Sequence, residues 1–512
     1  MSIPYALSNP VSVFLDKPKE DFTRDDLLKL IEAKQIERIT FHYTALDGKL
    51  KEMQIPIPTR KNAECVLTEG ERVDGSSLFK GMVDSGLSDL YVVPMWKTAF
   101  INPFDNKSLD FVCKYITADG ELAPFTPDNI LIKAAELFKK NTGIELHAFG
   151  ELEFYLFYTP EQNMYMPLRQ RGYHASGPYS KSGSILAEME REITQIVGSV
   201  KYAHSEVGFI EKIESQSDEL NGKNGEQLEI EFLSTPIEET GDSLVIAKWL
   251  VRNIAARHNM LATFAPKLED GVAGSGMHVH LKLIKDGKNV TVDKNENLSE
   301  ESKKVIGGLC QYADVLTAFG NTVASSYLRL VPNQEAPTQI CWSDSNRSVM
   351  IRVPLGWAKI KNLASIVNKG KKIEPLEIDS MQTFELRTGD GSAQVHLFLA
   401  GIAMAAEWGM THKEALQMAE KLYVKGNIFR NKELAKDLAH LPASCAESAD
   451  LLQSKRDIFE RDNIFPESVI NYIIHSLQSE NDRELQRNLS ELMGRNKVTE
   501  LRRIMHKDIH KN

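Results

Sequence analysis

The 512-residue sequence predicts an α+β fold, with a small β-rich N-terminal domain and a larger domain built on an antiparallel sheet. Within residues 21–117, one helical stretch at 24–34 is followed by strand-like pieces such as 38–43 and 90–93. Beyond residue 128, strand-like runs and helices follow one another without the strict alternation of a doubly wound fold. These observations favour two domains of unequal size.

The boundary between the domains is predicted in a turn-rich segment, 118–128, which contains Gly120 and Pro124. We therefore divide the chain into domains 21–125 and 126–512. The spacing of apolar residues predicts helices in the larger domain at 129–140, 184–197, 242–258, 301–319 and 393–408, and a charged helical stretch at 466–507. We expect this last stretch to pair with other helices of the chain or of a neighbour.

The overall composition argues against several classes of protein. Hydrophobic residues make up 42% of the chain and charged residues 26%, as in ordinary soluble proteins. The net charge of −10 argues against a nucleic-acid partner, and no apolar run is long enough to span a membrane. The N-terminus lacks the pattern of a secretory signal, and the five cysteines show no CxxC spacing. We expect a cytoplasmic protein with reduced thiols and with no nucleic-acid or membrane partner.

Three strand-like runs alternate polar with apolar residues. Because side chains alternate between the two faces of a strand, each run places its polar residues on one face and its apolar residues on the other. Ionised carboxylates are costly on such a face unless it is wet, paired or metal-bound. The runs therefore predict a polar funnel that holds hard divalent cations. The alternating pairs are His278 and His280, Glu151 and Glu153, and Glu229 and Glu231.

Six side chains are candidate metal ligands if these strands are neighbours in the sheet. Carboxylate oxygens with a single imidazole suit Mg²⁺ or Mn²⁺ better than zinc, which favours more histidine or cysteine. The alternative for each acid alone is a solvated residue on an edge strand, and for the histidine pair a structural role. The six candidates are Glu151, Glu153, Glu206, Glu229, His278 and Glu385.

A series of short motifs along almost the whole chain resembles the glutamine synthetase family. Each motif is weak alone, but together they occur in the family's order. They are DGSS at 74–77, ELEF at 151–154, HSEV at 204–207, QLEI at 227–230, GSGMHVH at 274–280, YLRLVP at 327–332 followed by EAP at 335–337, NRS at 346–348, IRVP at 351–354 and ELR at 385–387.

The resemblance implies a β-grasp-like N-terminal domain and a catalytic domain whose curved antiparallel sheet is flanked by helices. It also implies a homo-oligomer of stacked hexameric rings, a dodecamer, with active sites built between subunits. In the implied reaction ATP phosphorylates the γ-carboxylate of glutamate, and ammonia then displaces phosphate from γ-glutamyl phosphate. Two or more Mg²⁺ or Mn²⁺ ions would serve each site.

The resemblance also implies the ligands of two metal ions and the residues that bind phosphate and substrate. Arg347 and Arg352 would cover the transferring phosphoryl group, where a planar guanidinium suits phosphate oxygens. Arg329 and Arg387 would pair with the substrate carboxylate or the acyl phosphate. One ion would be held by Glu153, Glu206 and Glu229, and the other by Glu151, His278 and Glu385.

Five further residues take roles from the same resemblance. Asp74 would bind ammonium and take its proton, which makes neutral ammonia the nucleophile. Glu335 would lie on a mobile flap that excludes water from the acyl phosphate. Tyr173 matches an ammonium-site tyrosine, Gly274 belongs to the substrate-binding loop, and His280 would contact the nucleotide.

The chain departs from the family pattern where substrates would be recognised. Ala273 stands where the family has an asparagine that helps to close over the amino acid. The stretches 209–224 and 355–380 are longer than in the family, and the basic residues that normally precede the last motif are missing. Lys282 and the basic run 369–372 are candidate replacements, although a solvated charge run is the alternative explanation.

Three functions are compatible with these observations. The first is glutamine synthesis from glutamate and ammonia, which Asp74, Glu335 and Arg329 favour. The second is a γ-glutamyl ligase that uses an organic amine, which Ala273 and the two longer stretches favour. The third is a non-catalytic structural or regulatory relative; we would expect it to have lost metal ligands, and all six are present.

Overall fold

The described part of the chain forms two separate sheets, one in each predicted domain. The computed structural model describes residues 5–82, 88–162, 165–331, 336–356, 362–374, 376 and 379–511. None of the helices in these ranges is both long and apolar enough to cross a membrane. The sheets and the helices that pack on them confirm the predicted α+β class.

The N-terminal domain contains a mixed sheet of six strands. Its elements are α1 (Pro10–Leu15), α2 (Arg24–Lys34), β1 (Arg38–Thr44), β2 (Leu50–Pro56), α3 (Arg60–Glu69), β3 (Glu71–Asp74), α4 (Gly75–Leu78), β4 (Asp89–Pro94), β5 (Phe100–Ile101) and β6 (Ser108–Ile116). The strand order is β2-β1-β6-β4-β3, with β5 paired to β6, and β1 runs parallel to β6. The predicted helix 24–34 forms as α2, because Thr23 and Asp26 cap its first turn reciprocally.

The larger domain contains a sheet of ten strands. Its elements are α5 (Pro127–Thr142), β7 (Glu145–Tyr158), α6 (Gly183–Val197), β8 (Val200–Ile210), β9 (Asn224–Phe232), β10 (Thr235–Pro236), α7 (Ile237–Arg257), β11 (Leu261–Thr263), β12 (Met277–Lys285), β13 (Lys288–Asn289), α8 (Glu300–Gly320), α9 (Ser326–Arg329), β14 (Trp342–Asp344), β15 (Ile351–Val353), α10 (Leu363–Val367), β16 (Phe384–Leu386), α11 (Val395–Thr411), α12 (Glu414–Leu422), α13 (Cys445–Ser454), α14 (Asp457–Glu460), α15 (Glu467–Gln478), α16 (Leu485–Glu491) and α17 (Gly494–His506). The proposed boundary between residues 125 and 126 lies in the loop between β6 and α5.

The strand order of this sheet is β14-β15-β16-β12-β7-β9-β8, with β10 and β11 on β7 and β13 on β12. Its pairs are antiparallel except for β14 and β15, which run parallel. The sequence predicted an antiparallel sheet, and it did not indicate this parallel pair. Strands of three residues carry too little pattern to indicate their direction.

The two faces of the central strands have opposite character. Leu152 of β7 and Met277 and Val279 of β12 are buried in the main core, together with residues of α5, α7, α8 and α11. The alternate residues of the same strands lie on the other face, and they are the acids and histidines of the predicted funnel. The helices therefore support the sheet from behind while its polar face remains accessible.

Candidate active site

The register of the large sheet brings the predicted polar residues together at one cavity. On β7, Glu151 lies opposite His278 of β12, and Glu153 lies opposite Glu229 of β9. A cavity of about 1230 Å³ opens over this face of the sheet. The predicted site residues that the structure describes all line this cavity, except for Asp74.

Glu151, His278 and Glu385 form the central group, on the neighbouring strands β7, β12 and β16. Nδ1 of His278 lies 2.6 Å from Oε2 of Glu151 and 3.4 Å from Oε1 of Glu385. Burial disfavours the ionised form of Glu151. Hydrogen bonds from His278 and His280 outweigh it and hold the pKa of Glu151 well below its ordinary value. Burial is likewise outweighed at His278, whose pKa is raised by Glu151. The group is thus a tightly paired set of oxygen and nitrogen donors.

His204, Glu206 and Glu229 form the edge group, on β8 and β9 at one side of the sheet. Nε2 of His204 lies 3.0 Å from Oε1 of Glu229, and its Nδ1 lies 3.9 Å from Oε1 of Glu206. Burial, and then the negative charges of the neighbouring glutamates, raises the pKa of Glu229 well above its ordinary value. This concentration of buried negative charge favours a cation.

Glu153 lies between the two groups. Its Oε2 accepts hydrogen bonds from Nε2 of Gln227 at 3.0 Å and from the N–H of Gly276 at 2.8 Å. Its Oε1 lies 4.0 Å from Nδ1 of His278. The family resemblance assigns Glu153 to the same ion as Glu206 and Glu229; the donor atoms that lie within 4.8 Å of one another here are those of His204, Glu206 and Glu229.

Two arginines bind the carboxylate of Glu385. Nη1 of Arg352 lies 3.0 Å from its Oε2, and Nε of Arg387 lies 3.1 Å from its Oε1. Arg387 also donates through Nη1 to the carbonyl oxygen of Arg347, whose own side chain is exposed at the rim. One buried acid therefore fixes two guanidinium groups beside the central group.

A third arginine, Arg329, is buried beside two glycines. Its Nη2 lies 3.4 Å from Nε2 of His278. A Cβ atom on Gly276 would lie 2.8 Å from that Nη2, and a Cβ on Gly274 would lie 3.2 Å from Cδ of Arg329 and 2.3 Å from the carbonyl oxygen of Pro266. Only glycine lets the loop approach the arginine this closely.

His280 lies two residues beyond His278 on β12, on the same face of the sheet. Its ring stacks on Phe149, with centroids 4.3 Å apart and planes 9° apart. Its Nε2 lies 2.9 Å from Oε1 of Glu151, and its Nδ1 lies 3.0 Å from Oγ1 of Thr383. Both ring nitrogens are engaged, so the ring is fixed as a flat part of the cavity wall.

Two of the predicted residues that the structure describes lie at or beyond the rim of the cavity. Tyr173 is 48% exposed, and its ring centroid lies 5.5 Å from that of His204. Asp74 caps α4 and lies outside the cavity of its own chain; hydrogen bonds from Ser76 and Ser77 lower its pKa to about 2. Glu335 lies outside the described residues.

The chain matches two family models, the glutamine synthetase beta-grasp domain over residues 35–118 and the glutamine synthetase catalytic domain over residues 125–493. The chain belongs to the glutamine synthetase family. The glutamine synthetase of Pyrococcus horikoshii is 31% identical over 439 residues, which span 84% of this chain and 86% of that relative.

Two solved structures have the same fold as this glutamine synthetase family member. Plasmodium falciparum glutamine synthetase superposes with a TM-score of 0.70 and 20% identity, over 91% of this chain and 97% of the other. Ligand-free GmaS superposes with a TM-score of 0.68 and 18% identity, over 92% of this chain and 98% of the other.

These matches confirm the predicted family, the β-grasp N-terminal domain and the curled catalytic sheet with flanking helices. They also confirm the predicted class of enzyme, an ATP-dependent ligase. Members of the glutamine synthetase family use ATP and divalent metals generally.

The sequence-based site of this glutamine synthetase family member omitted two features of the cavity. His204 was quoted in a motif but not as a ligand, although its spacing from Glu206 places both on one face of β8. The second feature is an ion pair in which Nζ of the partly exposed Lys201 lies 2.6 Å from Oε1 of the buried Glu231. The pairing of β8 with β9 shifts register next to Lys201. Strand alternation in the sequence therefore does not predict on which face of the sheet this side chain lies.

The structure also describes the departures from the glutamine synthetase pattern. The N–H of Ala273 donates to Oε1 of Gln170 at 3.1 Å, and its carbonyl accepts from the hydroxyl of Tyr155 at 2.8 Å. Backbone hydrogen bonds thus hold the loop where the family has an asparagine side chain. Lys282 lines the cavity, whereas the lysines of the run 369–372 are exposed.

Proposed function

We propose that this ligase joins glutamate to ammonia at the cost of ATP, through a γ-glutamyl phosphate intermediate. The observation that carries the proposal is the meeting of the central group, the edge group and several arginines in one cavity. A carboxylate that attacks a polyphosphate faces repulsion between negative charges. Cationic groups fixed around the reacting oxygens lower that barrier.

The donor atoms of both groups fit Mg²⁺ or Mn²⁺. Carboxylate oxygens dominate each group, and one imidazole accompanies them. Burial, and then the charges of neighbouring glutamates, raises the pKa of Glu229, and a cation would offset both effects. We assign one ion to the central group and a second to the edge group together with Glu153. When bound, such ions would neutralise and orient the phosphates of ATP.

The arginines would divide the substrates between them. Arg352 and Arg347 would bind oxygens of the transferring phosphoryl group, because a planar guanidinium matches them with two parallel hydrogen bonds. Arg329 is buried next to Gly274, and we assign it the carboxylate of glutamate. Arg387, held by Glu385, would face the acyl phosphate.

The remaining assignments concern the nucleophile. Asp74 would bind ammonium and receive its proton, since its low pKa keeps the carboxylate ionised near neutral pH. Because it lies outside the cavity of its own chain, we propose that it acts in the site of a neighbouring subunit of a homo-oligomer, with stacked hexameric rings as the expected assembly. Tyr173 would contribute to the ammonium site, and Glu335 would close over the intermediate.

An organic amine is the second candidate nucleophile. Ala273 offers no side-chain amide to close the substrate pocket, and Tyr173, which is 48% exposed and stacks on His174, lies beside the edge group. An aromatic ring is suited to an alkylammonium group. These two observations favour a γ-glutamylamine ligase.

The deciding experiment measures phosphate release with ATP, glutamate and Mg²⁺ or Mn²⁺, and compares ammonium with methylamine and with longer mono- and diamines. We expect the highest kcat/KM with ammonium. The variant Glu385→Gln serves as the matched control, because background ATP hydrolysis would persist in it. Turnover confined to an organic amine would replace the first proposal with the second. If neither ammonium nor any amine supports phosphate release, both proposals are refuted.

A further inference from the structure

The C-terminal residues 494–511 lie beyond the matched catalytic domain, which ends at residue 493. They consist of α17 and a short tail. Besides the preceding helix α16, α17 contacts three other parts of the chain, and two of these parts carry residues assigned to the acid substrate.

The first contact is with the loop 264–276, whose inner half carries Gly274. Nε2 of His506 lies 2.8 Å from the carbonyl oxygen of Leu268, and both residues are buried. Arg502 binds both carboxylate oxygens of Glu269, through Nε at 3.1 Å and Nη2 at 3.2 Å. A two-point guanidinium contact fixes orientation as well as distance. The outer half of the substrate loop is therefore tied to α17.

The second contact is with the long connection 209–224, one of the departures from the family pattern. Nη1 of Arg502 lies 2.5 Å from Oε2 of Glu214, and Nδ1 of His506 lies 2.9 Å from Oγ of Ser215. Ile509 of the tail belongs to the same apolar cluster as Ile213 and Leu220 of the connection and Val272 of the substrate loop. The same two side chains of α17 thus join the connection to the loop.

The third contact is with the segment that leads into Arg329. Ile504 and Met505 are buried in one cluster with Ala324 and Leu328. Leu328 immediately precedes Arg329 on α9. A polar link runs alongside: Nζ of Lys507 lies 2.5 Å from Oε2 of Glu480, and the same oxygen accepts the N–H of Ala324 at 2.9 Å.

We propose that residues 494–511 act as a clamp that sets the position of the Gly274 loop relative to Arg329, and thereby the affinity for the carboxylate end of the acid substrate. Arg502 and His506 are its positioning residues. The inference rests on the proposed function in one respect, the assignment of that carboxylate to Arg329. Small displacements of substrate-binding groups have large kinetic effects, so the clamp is expected to act through KM.

The kinetic test uses the full-length protein and four substitutions at three positions of one helix. Arg502→Gln and His506→Ala each remove contacts to the substrate loop and to the long connection. Arg503→Gln is the matched control, because Arg503 pairs with Glu500 of its own helix and its side chain is 56% exposed. We expect Arg502→Gln and His506→Ala to raise KM for glutamate roughly tenfold, with kcat and KM for ATP changed less than twofold. His506→Gln retains a donor near Nε2 and should restore part of the affinity.

The second readout is hydrogen–deuterium exchange of the peptide that covers 264–276, measured without substrates. We expect faster exchange in Arg502→Gln and His506→Ala and wild-type exchange in Arg503→Gln. This readout holds even if the wild type does not turn over glutamate, which separates failure of the clamp from failure of the proposed function. Unchanged exchange of this peptide in both Arg502→Gln and His506→Ala would overturn the clamp. So would an equal rise in KM for glutamate and ATP, which would indicate general support of the fold.

Discussion

The central group and the edge group use the same kinds of donor atom but are held in different ways. The central group lies on three strands inside the sheet, and Arg352 and Arg387 both bind its Glu385. The edge group lies partly on β8, the terminal strand, whose pairing with β9 shifts register on both sides of His204. Interior strands with cross-braced side chains define positions more tightly than an edge strand with irregular pairing.

Because of this difference, we expect the two groups to respond differently to the loss of one donor side chain. In the central group each donor has charged partners on neighbouring strands, so the loss of one leaves others buried and unpaired. In the edge group burial, and then repulsion between the acids, raises the pKa of Glu229, and a bound cation would itself supply much of the order. We infer that the central group is set by the fold and that the edge group is completed by its ligand.

The largest expected effect follows from Glu385→Gln in the central group. The substitution keeps the volume of the side chain but removes the anion that holds Arg352 and Arg387. We expect amine-dependent phosphate release to fall about a thousandfold, and the rise in Tm on adding Mn²⁺ to shrink. Glu374→Gln, an exposed acid of the 355–380 stretch, is the control and should change neither quantity. Wild-type turnover in Glu385→Gln would refute the assignment of the central group.

A smaller effect is expected from His204→Gln in the edge group. The glutamates remain, so an ion still binds but in a less well-ordered site. We expect the concentration of Mn²⁺ for half-maximal activity to rise roughly 10- to 100-fold, with kcat at saturating metal within about tenfold of the wild type. His258→Gln, at the end of α7, should leave the metal dependence unchanged. A loss as large as that of Glu385→Gln at every metal concentration would remove the distinction between the two groups.

Gly274→Ala tests how closely the substrate loop must approach the central group. The new Cβ would lie 2.3 Å from the carbonyl oxygen of Pro266 and 3.2 Å from Cδ of Arg329. We expect kcat/KM for glutamate to fall about tenfold, with KM for ATP little changed. Gly183→Ala, at the first position of α6 where a Cβ meets open space, is the matched control. Equal KM values for glutamate in both variants would place the substrate elsewhere in the cavity.

The central group could be predicted from the sequence because it depends on strand periodicity. Glu151, His278 and Glu385 each occur in an alternating or apolar run, and antiparallel pairing of these runs brings them together. The resemblance to the family then assigned these three residues to one ion. Most long helices were also predictable, since α8 and α11 are apolar over many residues.

The edge group was only partly predictable, because its geometry depends on irregular structure. The position of Glu153 is set by Gln227 and by the N–H of Gly276, a contact between residues far apart in the chain. The bulged pairing of β8 decides which residues join His204. Such features arise from packing in three dimensions and leave no periodic trace in the sequence.

The smallest expected effect distinguishes Lys282 from the basic run 369–372. The sequence offered both as candidate nucleotide contacts and did not favour one over the other. Lys282 lies on β12, on the wall of the cavity that also carries the central group, whereas Lys369, Lys371 and Lys372 are exposed in the longer connection. If Lys282 contacts the nucleotide, Lys282→Gln should raise KM for ATP about fivefold, the equivalent of ~1 kcal/mol. The triple substitution of the exposed lysines by Gln should change KM for ATP less than about twofold, because solvent screens such charges. The reverse result would move nucleotide binding from the ordered wall to the inserted connection, and it would show that recognition in this enzyme extends beyond the sheet that holds the two groups.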